Sequence, residues 1–238
     1  MSIDTLSSAL WTRCPWWLSG ALVGLWLAPL GRIIARRVLQ RAQAPLHEWQ
    51  GPGGGLGQPA PLSRQLWVPT LNAVLWACAA SAASQPTRWG SLLWAFLAST
   101  LVLLALMDWD STLLPDMIVL PLALAGLFGS HAGLTGQSLL VSALSAAVVL
   151  GLLGGLAWVF RRIRGVSGIG GGDIKLLVAL AAWFGVDGVL YIVFWASLIT
   201  VIWNLAWRHF KGFRPQAEWP FGPSIVIAAL AWSLFRPA

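Results

Sequence analysis

Long uninterrupted apolar runs constrain this chain more than any other feature. A helix needs about 20 mostly apolar residues to cross a bilayer. Eight such runs stand out, at 16–30, 66–84, 91–107, 117–134, 138–160, 174–185, 189–207 and 221–235. Pro121 falls inside the fourth, where neighbouring helices can absorb a kink. The runs are continuous rather than alternating, which excludes a membrane β-barrel. The sequence therefore predicts an all-α, polytopic membrane protein with about eight transmembrane helices. Composition agrees: of 238 residues, 58% are hydrophobic and 10% charged, against roughly a quarter charged in soluble domains. Such a chain is too apolar to be disordered. Its two cysteines, Cys14 and Cys78, do not make a disulfide scaffold. Fifteen Lys and Arg diluted among apolar runs make a poor basic patch, so no nucleic-acid partner is expected. The amino-terminus, MSIDTLSS, has an acid and no basic region ahead of the first apolar run, so no cleavable signal is expected there.

The cations give a topology. The stretch after the first span carries Arg32, Arg36, Arg37, Arg41 and Arg64. Arg161, Arg162, Arg164 and Lys175 follow the fifth span, and Arg208, Lys211 and Arg214 the seventh. Twelve cations thus fall on one side, and Arg13, Arg88 and Arg236 on the other. Basic loops stay in the cytoplasm, so the three loops are expected inside and both termini outside. Contact with anionic membrane lipids follows from the same charges. Trp67, Trp109, Trp158 and Trp207 fall at span ends, where amphipathic rings prefer to sit.

The acids are less expected. Asp108, Asp110 and Asp116 fall within nine residues between the third and fourth spans, and Asp173 follows the run Gly170-Gly171-Gly172. The topology puts both groups on the cytoplasmic side, so Asp108 and Asp173 could meet. Between Lys175 and Asp187 lie 11 uncharged residues, about 16 Å of helix against a hydrocarbon core of about 30 Å. Either protein pads this helix at both ends, or the bilayer is locally thin, or Asp173 lies below the membrane surface; the last is favoured, and so costly a position usually marks function. Two carboxylates held close repel, so they do not both ionise readily and can share a proton. The ionised one can take a proton from water while the other polarises a peptide carbonyl. The glycines before Asp173 would let a substrate backbone come close. Plainer roles exist for each residue: an Asp at a span end also serves as an interfacial anchor or helix N-cap, and a Gly run as a loop.

Two segments resemble a known family. Asp108-Trp109-Asp110-Ser111-Thr112-Leu113-Leu114-Pro115-Asp116 is similar to the first aspartate motif of the type IV prepilin peptidases, and Gly170-Gly171-Gly172-Asp173 to their GxGD motif. The likeness is strong over about residues 90–185. It implies an aspartic endopeptidase of the bacterial inner membrane that faces the cytoplasm. Such enzymes cut the basic leader of prepilins or pseudopilins after a Gly. By motif position, Asp108 and Asp173 would be catalytic. Asp110, Asp116, Gly170, Gly172 and Lys175 would support them.

The chain departs from the family where many members carry two Cys-x-x-Cys pairs in the first cytoplasmic loop. Residues 31–65 hold no Cys, so no metal is expected there. Many members also N-methylate the new amino-terminus with S-adenosylmethionine. The resemblance extends to that cofactor, but the run Gly51-Pro52-Gly53-Gly54-Gly55 reads as a linker rather than a cradle for it. The peptidase itself needs no cofactor. His47, His131 and His209 do not cluster, and read as surface or interfacial residues. Lys175 could tune Asp173 or snorkel to the interface. Two units are expected: residues 1–65, with the first helix and basic loop, and 66–238, a seven-helix peptidase core. A proton- or ion-coupled transporter using the same buried Asp residues is the alternative from another class. Inverted repeats would favour it, and none is found.

Overall fold

A computed structural model describes residues 3–43, 56, 60–81, 87–165, 170–211 and 220–235. Among them the chain forms seven helices: α1 (Ile3–Arg41), α2 (Leu62–Ser81), α3 (Arg88–Ser111), α4 (Asp116–His131), α5 (Leu139–Arg164), α6 (Gly171–Lys211) and α7 (Gly222–Phe235). His47, the run 51–55, Arg214 and Arg236 lie outside the described residues. Four segments are long and apolar enough to cross a membrane: Cys14–Arg41, Arg88–Ser111, Leu139–Arg164 and Gly171–Trp207. Shorter apolar helices, Asp116–His131 and Gly222–Phe235, accompany them. The protein is an all-helical, multi-pass membrane protein.

α6 is two helices in one. Gly185 has φ 75° and ψ −179°, a conformation essentially restricted to glycine. Ring contacts reveal the result. Trp94, near the start of α3, packs on Trp183 and Phe184, with centroids 5.8 and 5.7 Å apart. Trp109, near the end of α3, packs on Trp203 and Trp207 at 5.3 and 6.2 Å. Asp173 lies within electrostatic reach of Asp108, again at the end of α3. The chain therefore reverses at Gly185. Residues 171–184 run away from Asp108 and residues 186–211 return. Counted this way, the described residues make eight helical segments, with the sixth ending where the sequence places its break.

α3 is the central helix. Thr87 caps its start, its side chain accepting from the Gly90 N–H at 3.1 Å. Two core clusters meet on it. Leu97, Leu101 and Leu104 join Leu176, Leu180, Trp183, Ile192 and Ile225 in one. Ala98, Val102 and Met107 join Leu27, Ala35, Leu39 and Val68 in the other. In lipid, apolar contact alone does not hold helices together, so small residues and buried polar bonds matter. Asn72 on α2 donates to the Gly20 carbonyl at 2.7 Å and accepts from Ser99 on α3 at 2.9 Å. α5 sits at the periphery and turns Leu140, Leu144, Leu152 and Leu156 outward. Apolar outward faces of this kind suit lipid.

One expectation is corrected. The first span does not give way to a loop at Gly31: α1 stays helical to Arg41. The reason is amphipathic spacing. Ala35 and Leu39, one turn apart, are buried, while Arg36 and Arg37 face outward. Arg32, Arg36, Arg37 and Arg41 are therefore helix residues. The boundary drawn between residues 65 and 66 falls inside α2.

Candidate active site

Asp108 occupies the last turn of α3 and is 4% exposed. α3 stops three residues later because Thr112 turns left-handed (φ 52°), with its N–H bonded to the Asp108 carbonyl. Asp116 opens α4 just beyond. The Asp108 carboxylate faces the start of α7, where the Gly222 N–H donates to Oδ2 at 2.9 Å. A helix N-terminus has unsatisfied N–H groups and a positive dipole end, both of which favour an anion. The approach requires glycine: a Cβ at position 222 would lie 2.6 Å from Asp108 Oδ2.

Asp173 sits in the first turn of α6, half-buried. Two glycines shape its setting. A Cβ at Gly170 would lie 2.8 Å from Asp173 Oδ2, and one at Gly172 would lie 2.9 Å from the Leu114 side chain. Gly170 thus leaves room for the carboxylate, and Gly172 lets α6 begin against the α3–α4 turn. Close packing there brings the charges of Asp173 and Asp108 within reach of each other.

The other acids of the first motif lie elsewhere. Asp110 is two residues beyond Asp108, about 200° around the helix, and points away from it. It is 1% exposed and meets Arg64 of α2 at 2.6 Å and Arg32 of α1 at 3.4 Å. Asp116, at the start of α4, takes Lys175 of α6 on both oxygens, at 2.7 and 2.8 Å. That pair is about half exposed on each side. It bridges the two helix starts that flank the carboxylates. His131 ends α4 at the far end from Asp116, and His209 lies near the end of α6. Cys14 and Cys78 are free thiols. Among the described residues no three His, Cys, Asp or Glu could hold a metal together.

Gly222, Arg32 and Arg64 are the residues that sequence reasoning missed at this end of the bundle. Gly222 had a signal, the Gly222-Pro223 pair opening the last apolar run. In sequence Arg32 and Arg64 look like loop charges, because nothing local points to Asp110.

These contacts gather one end of the bundle. The ends of α3 and α6 and the starts of α2, α4, α6 and α7 all meet there. The arrangement suits acid–base hydrolysis: two carboxylates share a setting and one is held by a backbone donor.

Comparison with known proteins agrees with that chemistry. The model of the type IV leader peptidase family matches residues 95–205. A prepilin leader peptidase/N-methyltransferase of Xanthomonas campestris is 34% identical over 194 residues, covering 80% of this chain and 66% of that protein. One of Pseudomonas aeruginosa is 37% identical over 145 residues, or 59% of this chain and 48% of that protein. One of Neisseria gonorrhoeae is 34% identical over 151 residues, or 63% and 48%. The matches thus span about half to two thirds of those relatives. No solved structure matches the chain. With both aspartate segments inside the matched region, the chain belongs to the type IV leader peptidase family.

Proposed function

We propose that this protein is a prepilin leader peptidase in which Asp108 and Asp173 hydrolyse the peptide bond after the basic leader of prepilins or pseudopilins. The observation that carries the reading is the approach of Asp108 and Asp173 at one end of the bundle, with the α7 N-terminus on the first of them. One carboxylate, ionised, takes a proton from a water whose oxygen attacks the scissile carbonyl carbon. The other, protonated, donates to the carbonyl oxygen. The tetrahedral intermediate collapses as the C–N bond breaks, and a carboxyl proton passes to the leaving amine. Asp110, Asp116, Lys175, Gly170 and Gly172 support the pair without entering the reaction.

The site end faces the cytoplasm of a bacterium, and the protein resides in the inner membrane. Arginine-bearing helix ends support that orientation: Arg32, Arg36, Arg64 and Arg161–Arg164 all attach at this end. A prepilin whose apolar helix lies in the bilayer would present its leader junction at that depth. Arg32 of α1 and Arg64 of α2 then brace the core through Asp110.

The methyl donor implied by the resemblance, S-adenosylmethionine, carries a sulfonium and an ammonium against one carboxylate. The cleft between α1 and α2 presents Arg32, Arg36 and Arg64. That lining does not fit a cationic donor, and we derive no methyl-transfer step.

Asp108→Asn and Asp173→Asn should each abolish leader removal while the protein still inserts in the membrane. The readout is the mass of the pilin product in cells carrying each variant. Cleavage at the normal rate by either variant would remove that residue from the pair. In the unaltered strain the same spectrum reads methylation as an added mass of about 14 Da.

A further inference from the structure

Asp173 is bracketed by contacts to one short piece of chain. On one side Gly172 packs against Leu114, so closely that a Cβ at position 172 would lie 2.9 Å from the Leu114 side chain. On the other, Lys175 donates to both carboxylate oxygens of Asp116, at 2.7 and 2.8 Å. Leu114 and Asp116 belong to the connection that leaves α3 just after Asp108. That connection is stiff. Thr112 is left-handed (φ 52°), and the ring of Pro115 fixes its φ at −71°. Leu114 is buried in the core. Asp116 therefore stands in a set relation to Asp108, and whatever grips Asp116 grips the Asp108 side of the site.

Lys175 does not act on Asp173 directly. It lies two residues beyond it, and helix residues at that spacing do not face each other. Its ammonium is committed to Asp116 instead. The pair is about half exposed on each side. An exposed ion pair shifts an equilibrium by about fivefold at most, and less as salt rises. That is too little to hold a fold together. It is enough to set how often two helix starts stand in one register.

We propose that Lys175 and Asp116 are positioning residues whose ion pair clasps the start of α6 to the start of α4, holds Asp173 in register with Asp108, and makes the rate of cleavage sensitive to salt. The inference rests on Asp108 and Asp173 being the reacting pair. With the clasp closed, the Gly172 contact and the ion pair together stop α6 from turning against the α3–α4 connection. With it open, Gly172 remains as a pivot about which Asp173 can swing. The clasp acts on the placement of Asp173 and carries no proton of the reaction.

Steady-state cleavage of a synthetic leader peptide by the purified full chain tests this. Asp116→Asn and Lys175→Gln should each lower kcat about fivefold and leave KM unchanged. The double variant should be no slower than either single one, because both break the same contact. Lys175→Arg, whose guanidinium also takes both oxygens of a carboxylate, should keep most of the rate. The exchange of Asp116→Lys with Lys175→Asp should restore roughly half of it or more. Raising salt from about 50 mM to about 1 M shortens the screening length to about 3 Å. The kcat of the unaltered chain should then fall toward that of the double variant, which should stay flat. Normal kcat in the single variants would overturn the clasp, as would losses that multiply in the double variant. A rate not restored by the exchange would mark Lys175 as a charge acting on Asp173 itself, and would overturn it too. Asp108→Asn, run alongside, separates the two levels. Activity in that variant sinks the reading of the site, whereas an inactive Asp108→Asn beside a fully active Asp116→Asn sinks the clasp alone. Should a clasp variant fail to fold, the unaltered chain decides, and a kcat indifferent to salt overturns the proposal.

Discussion

At the scale of single residues, the site rests on close approach between backbone and carboxylate. Gly222 is the sharpest case, because its N–H holds Asp108 Oδ2 and its missing side chain makes room to do so. Gly222→Ala keeps the donor but drives a methyl group into the carboxylate. Displacement of a reacting group by about 1 Å costs on the order of a hundredfold in rate. That loss in kcat for prepilin cleavage is expected, measured on purified protein with a synthetic leader peptide. Asp108 and Asp173 themselves were legible in sequence, because a motif with a Gly run and an acid on a shared membrane side is a local pattern. The Gly222 contact was not, since it joins residues that only tertiary packing brings together.

At the scale of elements, two ion pairs that look alike in sequence differ in kind. Asp110 is buried with Arg32 and Arg64, whereas Asp116 and Lys175 are half exposed. Removing one member of a buried ion pair costs about 3–5 kcal/mol. An exposed pair contributes at most about 1 kcal/mol. Asp110→Ala should therefore lower the thermal midpoint in detergent by many degrees, and Asp116→Asn by little. The spacing of the acids could not reveal this difference. It depends on Asp110 facing α1 and α2 while Asp108, about 200° around the same helix, faces α7. Gly185 governs another element. Its backbone lies where only glycine is comfortable, so Gly185→Ala should destabilise by roughly 1–3 kcal/mol, read from the same melts. The break itself was legible from the short sixth apolar run. The helical continuation of α1 to Arg41 was not, because its arginines mimic a polar loop unless Ala35 and Leu39 are seen to share a buried face.

At the scale of the whole molecule, the bundle has an aspartate end with most of the fixed positive charge and an opposite end with little. Impermeant maleimide checks the proposed orientation. With Cys14 and Cys78 replaced, Arg37→Cys should label in inverted inner-membrane vesicles, and Ala132→Cys, just beyond α4, in right-side-out ones. The reverse pattern would invert the topology. The number of helical segments was legible because hydropathy and length are additive along the chain. Their mutual packing was not. A membrane protein is threaded into the bilayer from its amino-terminus. Asp108 enters first and Asp173 follows, but the N–H that holds Asp108 belongs to α7, which comes after both. A half-inserted chain already carries both acids without the contact that aligns the first. On the proposed function, the pair is aligned only once α7 has joined the helices that precede it.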